Sequence, residues 1–117
     1  MNRKIQKAVR LIAGIVVGYL LGVMIVPYIK VEILTLLHGK EFSGLEQQTN
    51  MLAESEYFKV FAFDKEYLAQ VYYVEKNHSS GNLLTFIKED EEWKLYQWDT
   101  IWSFSGSADD IIWPFYP

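Results

Sequence analysis

Residues 11 to 29 read LIAGIVVGYLLGVMIVPYI, a run without a charged side chain, closed by Arg10 on one side and Lys30 on the other. At the helical rise this run extends about 28 Å, close to the roughly 30 Å of a bilayer's hydrocarbon core. A helix pairs its own backbone polar groups, which lipid cannot do, so the run predicts a transmembrane helix. It is longer than the usual core of a secretory signal, and the exit VMIVPYIKVEIL offers no small-x-small cleavage site. It therefore reads as an uncleaved anchor. The expected organisation is a basic cytoplasmic tail at 1–10, a transmembrane helix at 11–29, juxtamembrane helices at 30–53 and an exported antiparallel β domain at 54–117.

Charge assigns the orientation. Arg3, Lys4, Lys7 and Arg10 precede the run, and only Lys30 stands at its far edge. The positive-inside bias then places the amino terminus in the cytoplasm and the carboxyl-terminal domain outside the cell membrane. Beyond Lys30 the chain carries six lysines against all fifteen of its acids, and an exported acidic domain is a poor match for nucleic acid. There is no cysteine, which removes disulfides, thiolate metal sites and a cysteine nucleophile. The compact anchor and the missing cysteines suggest a bacterial membrane protein.

Within the run, Gly14, Gly18 and Gly22 recur every fourth residue and share one helical face. Such a stripe lets another helix approach closely in lipid, where packing replaces hydrophobicity as the driving force. It implies a membrane-protein partner or a second copy of the chain. Past Pro27, Ile29, Ile33, Leu36 and Leu37 keep helical spacing, with Gly39 as a carboxyl cap. Ser43 and Glu46 then have the spacing of a capping box for a short second helix ending near Ala53.

From Tyr57 the pattern changes to short β-rich runs: YFKVFAF, YLAQVYYVE, Leu83 to Lys88, and Trp93 to Trp102. The turns between them are tight, so consecutive strands should be antiparallel neighbours in a four-stranded meander with the helices on one face. The fold class is α+β. This order, with YLAQVYYVEKN as second strand and a polar turn leading into Trp93-Lys94-Leu95 of the last, resembles the cystatin-like and nuclear-transport-factor-two-like small domains over residues 31 to 104. The resemblance implies a curved sheet that serves as a binding module, a small-molecule isomerase or cyclase, or an exported domain of a membrane-anchored bacterial protein. The chain lacks the length for the three helices of the fuller members.

Groups for catalysis are sparse. His38 falls at the end of the juxtamembrane helix and His78 in the loop KNHSSGN, neither with a metal ligand at i+3 or i+4. Glu89 to Glu92 reads as a solvated turn, and Asp109 and Asp110 as a cap. No catalytic residue, metal site or cofactor is expected. The aromatic residues point to a surface instead. Strict alternation places Trp93, Leu95 and Ile101 on one face of the last strand and Tyr96, Trp98 and Trp102 on the other, while Tyr72 and Tyr73 point to opposite sides of the second. Tyr72, Tyr73, Tyr96, Trp98, Trp102 and Trp113 therefore form the expected ligand or partner surface, to be covered by the WPFYP tail, by a partner or by membrane. The expected function is a non-enzymatic, single-pass membrane-anchored interaction or regulatory module. Two alternatives are a small-ligand or enzymatic site on the concave sheet face, with Tyr73, Gln97 and Asp99 as its polar groups, and a surface immunity or inhibitor protein.

Overall fold

The computed structural model describes residues 2–49, 54–103, 108 and 112–117, the side chain of Asn77 excepted. Helix α1 covers Arg3–His38, 36 residues, or about 54 Å at the helical rise. Asn2 starts it, its side-chain oxygen accepting the Lys4 amide hydrogen at 2.9 Å. Its apolar stretch is bare: Leu11, Ile15 and Tyr19 are 67, 64 and 71 % exposed, so no part of this protein's core covers it. Among the described residues α1 is the one helix long and apolar enough to cross a membrane.

Among the described residues the expected second helix is replaced by 3-10 turns. Gly39 keeps a right-handed backbone and opens a 3-10 turn, Gly39–Phe42, in place of a left-handed cap, and a second 3-10 turn covers Leu45–Gln48. Gly44, at φ 82°, stands at the start of the second turn, where no side chain caps it. Glu46 turns inward, its Oε1 accepting the Ser55 hydroxyl at 3.0 Å. Residues 50–53 of the expected helix lie outside the described residues.

Four strands follow: β1 (Ser55–Phe63), β2 (Leu68–Glu75), β3 (Ser80–Glu89) and β4 (Glu92–Ser103). They pair antiparallel in the order β1-β2-β3-β4, the meander expected from the tight turns. The β3–β4 turn is two residues long, and both Asp90 and Glu91 have positive φ, 51° and 63°. That is the backbone a two-residue hairpin needs to match the twist of its strands.

The sheet buries apolar side chains on both faces. On the first, Val60, Ala69, Val71, Tyr73, Leu84, Phe86 and Trp93 enclose Phe42, with Leu34 and Leu45 packed against them. On the second, Tyr72, Val74, Leu83 and Ile101 pack with Tyr57, Phe61 and Trp102 beneath Ile112 and Tyr116 of the tail. Tyr72 and Tyr73 do point to opposite sides. β4, however, breaks the expected alternation. Leu95 pairs with Phe86 and Gln97 with Thr85, leaving Tyr96 as an extra residue, and Ile101 is extra between Thr100 and Trp102. Each bulge shifts the side-chain phase by one. Trp98 consequently joins Trp93 and Leu95 on the first face, Ile101 joins Trp102 on the second, and Tyr96 is left 69 % exposed.

Candidate functional site

Two junctions hold α1 to the sheet. At the first, the helix lies along edge strand β1. The Thr35 hydroxyl donates to the Val31 carbonyl of its own helix and accepts the Val60 amide hydrogen, both at 2.8 Å. One turn on, the His38 ring stacks flat on Phe63, with centroids 3.7 Å apart and planes 9° apart. Residues 39–54 separate α1 from β1 along the chain, yet these contacts dock the last turns of the helix directly on the strand.

The second junction is made by Ile112 to Pro117, a strap that runs from the second sheet face back onto α1. Met24, Tyr28 and Glu32 are four residues apart and therefore present one stripe. The Trp113 indole donates to the Met24 carbonyl at 3.2 Å, and its ring meets Tyr28 edge-on at 5.4 Å. The Tyr28 hydroxyl accepts the Phe115 amide hydrogen at 3.2 Å and donates to the Phe115 carbonyl at 2.9 Å. Higher up, the Tyr116 hydroxyl donates to Glu32 Oε1 at 2.9 Å. Toward the sheet, Tyr57 donates to the Pro117 carbonyl at 2.6 Å, and Tyr72 donates to the Tyr116 carbonyl, which also receives the Trp102 indole at 3.3 Å.

Electrostatics follow this geometry. Lys59 reaches both oxygens of Glu32 at 2.9 and 3.0 Å and lies 5.5 Å above the Tyr116 ring. The Lys59 hydrogen bond holds the Glu32 carboxyl below the usual carboxylate range; partial burial opposes it, and the Tyr116 hydroxyl adds to it. Burial pushes the Tyr72 phenol up to about 12, with the Trp102 indole pulling the other way. Burial also raises Tyr116, and its hydrogen bond to the Glu32 carboxylate raises it further. Tyr72 and Tyr116 thus keep the protons that they donate to the strap's hydrogen bonds, and Glu32 keeps the negative charge that accepts them.

The six aromatic residues expected to form one surface are thus divided. Tyr72, Trp102 and Trp113 meet at the strap. Tyr73 and Trp98 belong to the opposite core, where the Tyr73 hydroxyl donates to the Phe42 carbonyl at 2.6 Å and the Trp98 indole, buried, has no hydrogen-bond partner among the described residues. Tyr96 stands apart on the β4 bulge. The polar trio of the concave-face alternative does not converge either: Gln97 donates to Asp99 at 3.0 Å on the exposed side of β4, away from the buried Tyr73. His78 is an exposed turn residue at φ 52°, and Asp109 and Asp110 lie outside the described residues. Among the described residues no cluster of three or more His, Asp or Glu side chains has metal-binding geometry.

Sequence reasoning named the WPFYP tail, Tyr116 included, as one of three covers for the aromatic surface, but did not find Tyr28, Glu32 or Lys59. The signal available was the i, i+4, i+8 spacing of Met24, Tyr28 and Glu32, which has no meaning until the strap is laid across it. Two other features frame the site. Gly14, Gly18 and Gly22 are open, with nothing within 4 Å of a Cβ placed on any of them. A shallow cleft of about 470 Å³ beside the first junction is lined by Thr35, Ser43, Glu46, Ser55 and Tyr57; Glu46 is only 3 % exposed there, and its Oε2 lacks a partner among the described residues. No protein-family model, curated protein or solved structure matches the chain.

Proposed function

We propose that this is a single-pass membrane protein whose exported α+β domain is held against the membrane as a non-enzymatic interaction or regulatory module for a membrane or envelope partner. The observation that carries it is the unbroken passage of α1 from its bare apolar stretch onto β1 through Thr35 and His38. A domain attached this way cannot reach far from the bilayer, and its orientation follows that of its helix. Binding through the open glycine stripe would then be felt directly by the sheet. Both sheet faces are filled, the first by Phe42 and its neighbours and the second by the strap, which favours an outer-surface contact over an enclosed ligand site. A helix followed by a four-stranded meander is also the element order on which the cystatin-like resemblance rests, and that kinship is part of the proposal.

The test is mild detergent solubilisation from native expression levels, with cross-linking before lysis. A defined complex, homomeric or with one membrane protein, that is lost on Gly18→Leu supports the reading. A lone monomer, or a complex indifferent to Gly18→Leu, overturns the role given to the glycine face.

A further inference from the structure

The strap has two sides with different chemistry. Tyr116 and Pro117 face the sheet and Glu32, whereas Trp113 and Phe115 remain 49 and 42 % exposed on either side of the buried Pro114. Their level along α1 is fixed by bonds: Trp113 to the Met24 carbonyl, and Phe115 to the Tyr28 hydroxyl through both backbone groups. Met24 and Tyr28 lie in the last turn and a half of the uncharged run, which ends at Ile29. Glu32, bonded to Lys59 and Tyr116, marks the aqueous level about 12 Å above Met24 at the helical rise.

We infer that Trp113 and Phe115 enter the interfacial layer of the leaflet on the sheet's side, making the strap a second, lipid-facing contact beside the helix. This rests on the transmembrane reading of α1. An indole with its N–H bonded and half its surface exposed suits the boundary between headgroup and acyl chain, where tryptophan concentrates in membrane proteins. Pro27 bears on the same point. It has no N–H for the Val23 carbonyl, so this turn has a weakened ladder at membrane depth, and the Trp113 donor bonds the next carbonyl along. Residues 112–117, IWPFYP, carry no charged side chain, so the recognised chemistry is the apolar boundary itself. Contact should not depend on anionic headgroups. The strap also leaves the glycine stripe free, because Gly22 and Met24, two residues apart, project about 160° from one another.

The absence of cysteine makes single labels unambiguous. In full-length protein reconstituted in phosphatidylcholine vesicles, nitroxides would be placed through Phe115→Cys, Tyr96→Cys and Leu20→Cys and their collisions with oxygen and with a water-soluble nickel chelate compared. The inference expects a several-fold higher ratio of oxygen to nickel accessibility at 115 than at 96, unchanged when phosphatidylglycerol is added. A label at 115 as wet as that at 96, with the label at 20 buried in lipid, overturns the strap contact alone. A wet label at 20 overturns the transmembrane reading beneath it. Since Phe115→Cys removes a ring, native fluorescence gives a second measurement. Lipids brominated near the headgroup should quench the protein, and Trp113→Phe should abolish most of that quenching; quenching equal in both proteins would also overturn the inference.

Discussion

The Thr35 hydroxyl stands in for a neighbouring strand, accepting the Val60 amide hydrogen at 2.8 Å on the open edge of β1. Val60 is fully buried, so this bond satisfies a donor that no water reaches. Thr35→Val keeps the shape and removes the acceptor. It should destabilise the domain by about 1–3 kcal/mol, the cost of an orphaned buried donor. Thermal unfolding in detergent and faster hydrogen exchange at the Val60 amide would show it; unchanged exchange at that amide would refute it.

Gly81 pairs with Trp102, and a Cβ at this position would overlap the Trp102 indole nitrogen and the Tyr72 hydroxyl. Gly81→Ala must therefore push apart the two groups that hold Tyr116. A loss of about 1–3 kcal/mol is expected, in the range of overpacked cores. Limited proteolysis should cut the strap of this variant before the sheet. Wild-type proteolytic stability at the strap would count against the arrangement.

The β3–β4 turn holds two non-glycine residues at positive φ, Asp90 and Glu91. Glu91→Gly creates Asp-Gly, the sequence favoured at such a turn, and relieves the left-handed strain at that residue. Part of the gain is offset by the wider freedom of glycine in the unfolded chain. Stability should rise by about 0.5–1 kcal/mol, read as a higher melting temperature.

Acid should loosen the strap. Glu32 titrates below its usual value because Lys59 bonds its charged form. A depressed folded value means that the stabilisation is complete above the unfolded carboxylate pKa of about 4.3 and is lost as pH falls through the folded one. The pair is half exposed on the Glu32 side, so the effect is below about 1 kcal/mol. Melting temperature should decline across that window in the wild type, with a shallower decline in Glu32→Gln; identical slopes would be the contrary result.

Alkali should act with the opposite sign. Tyr72 is raised to about 12 by burial, so its contribution is complete below the free tyrosine value of about 10 and is lost as pH rises through the folded one. Difference absorbance should show fewer late-titrating phenols in Tyr72→Phe than in wild type. Near-ultraviolet dichroism should fall together with that late titration.

The long apolar helix and the four strands were legible because each is written in a period: an uncharged run of bilayer length, and alternating runs split by polar turns. The expected strand limits differ from the observed ones by a few residues at most, as Leu83 against Ser80 at the start of β3 illustrates. What was illegible lacked a period. Two bulges in β4 reversed the expected sides of Trp98 and Ile101, and nothing local to the sequence marks Tyr96 as the inserted residue. Ser43 and Glu46 have capping-box spacing, but Ser55 offers Glu46 a partner from a strand nine residues away. The strap depends on contacts such as Trp113 to Met24, across 89 positions, which no window along the chain can contain.

Because α1 is docked on β1 through Thr35 and His38 and is fastened again by the strap, it works as an axle and not as a tether. One residue of rotation, about 100°, would swing β4 through the same angle about the helix axis. Under the proposed membrane reading, whatever grips the apolar end of that shaft chooses which side of the sheet its neighbours meet.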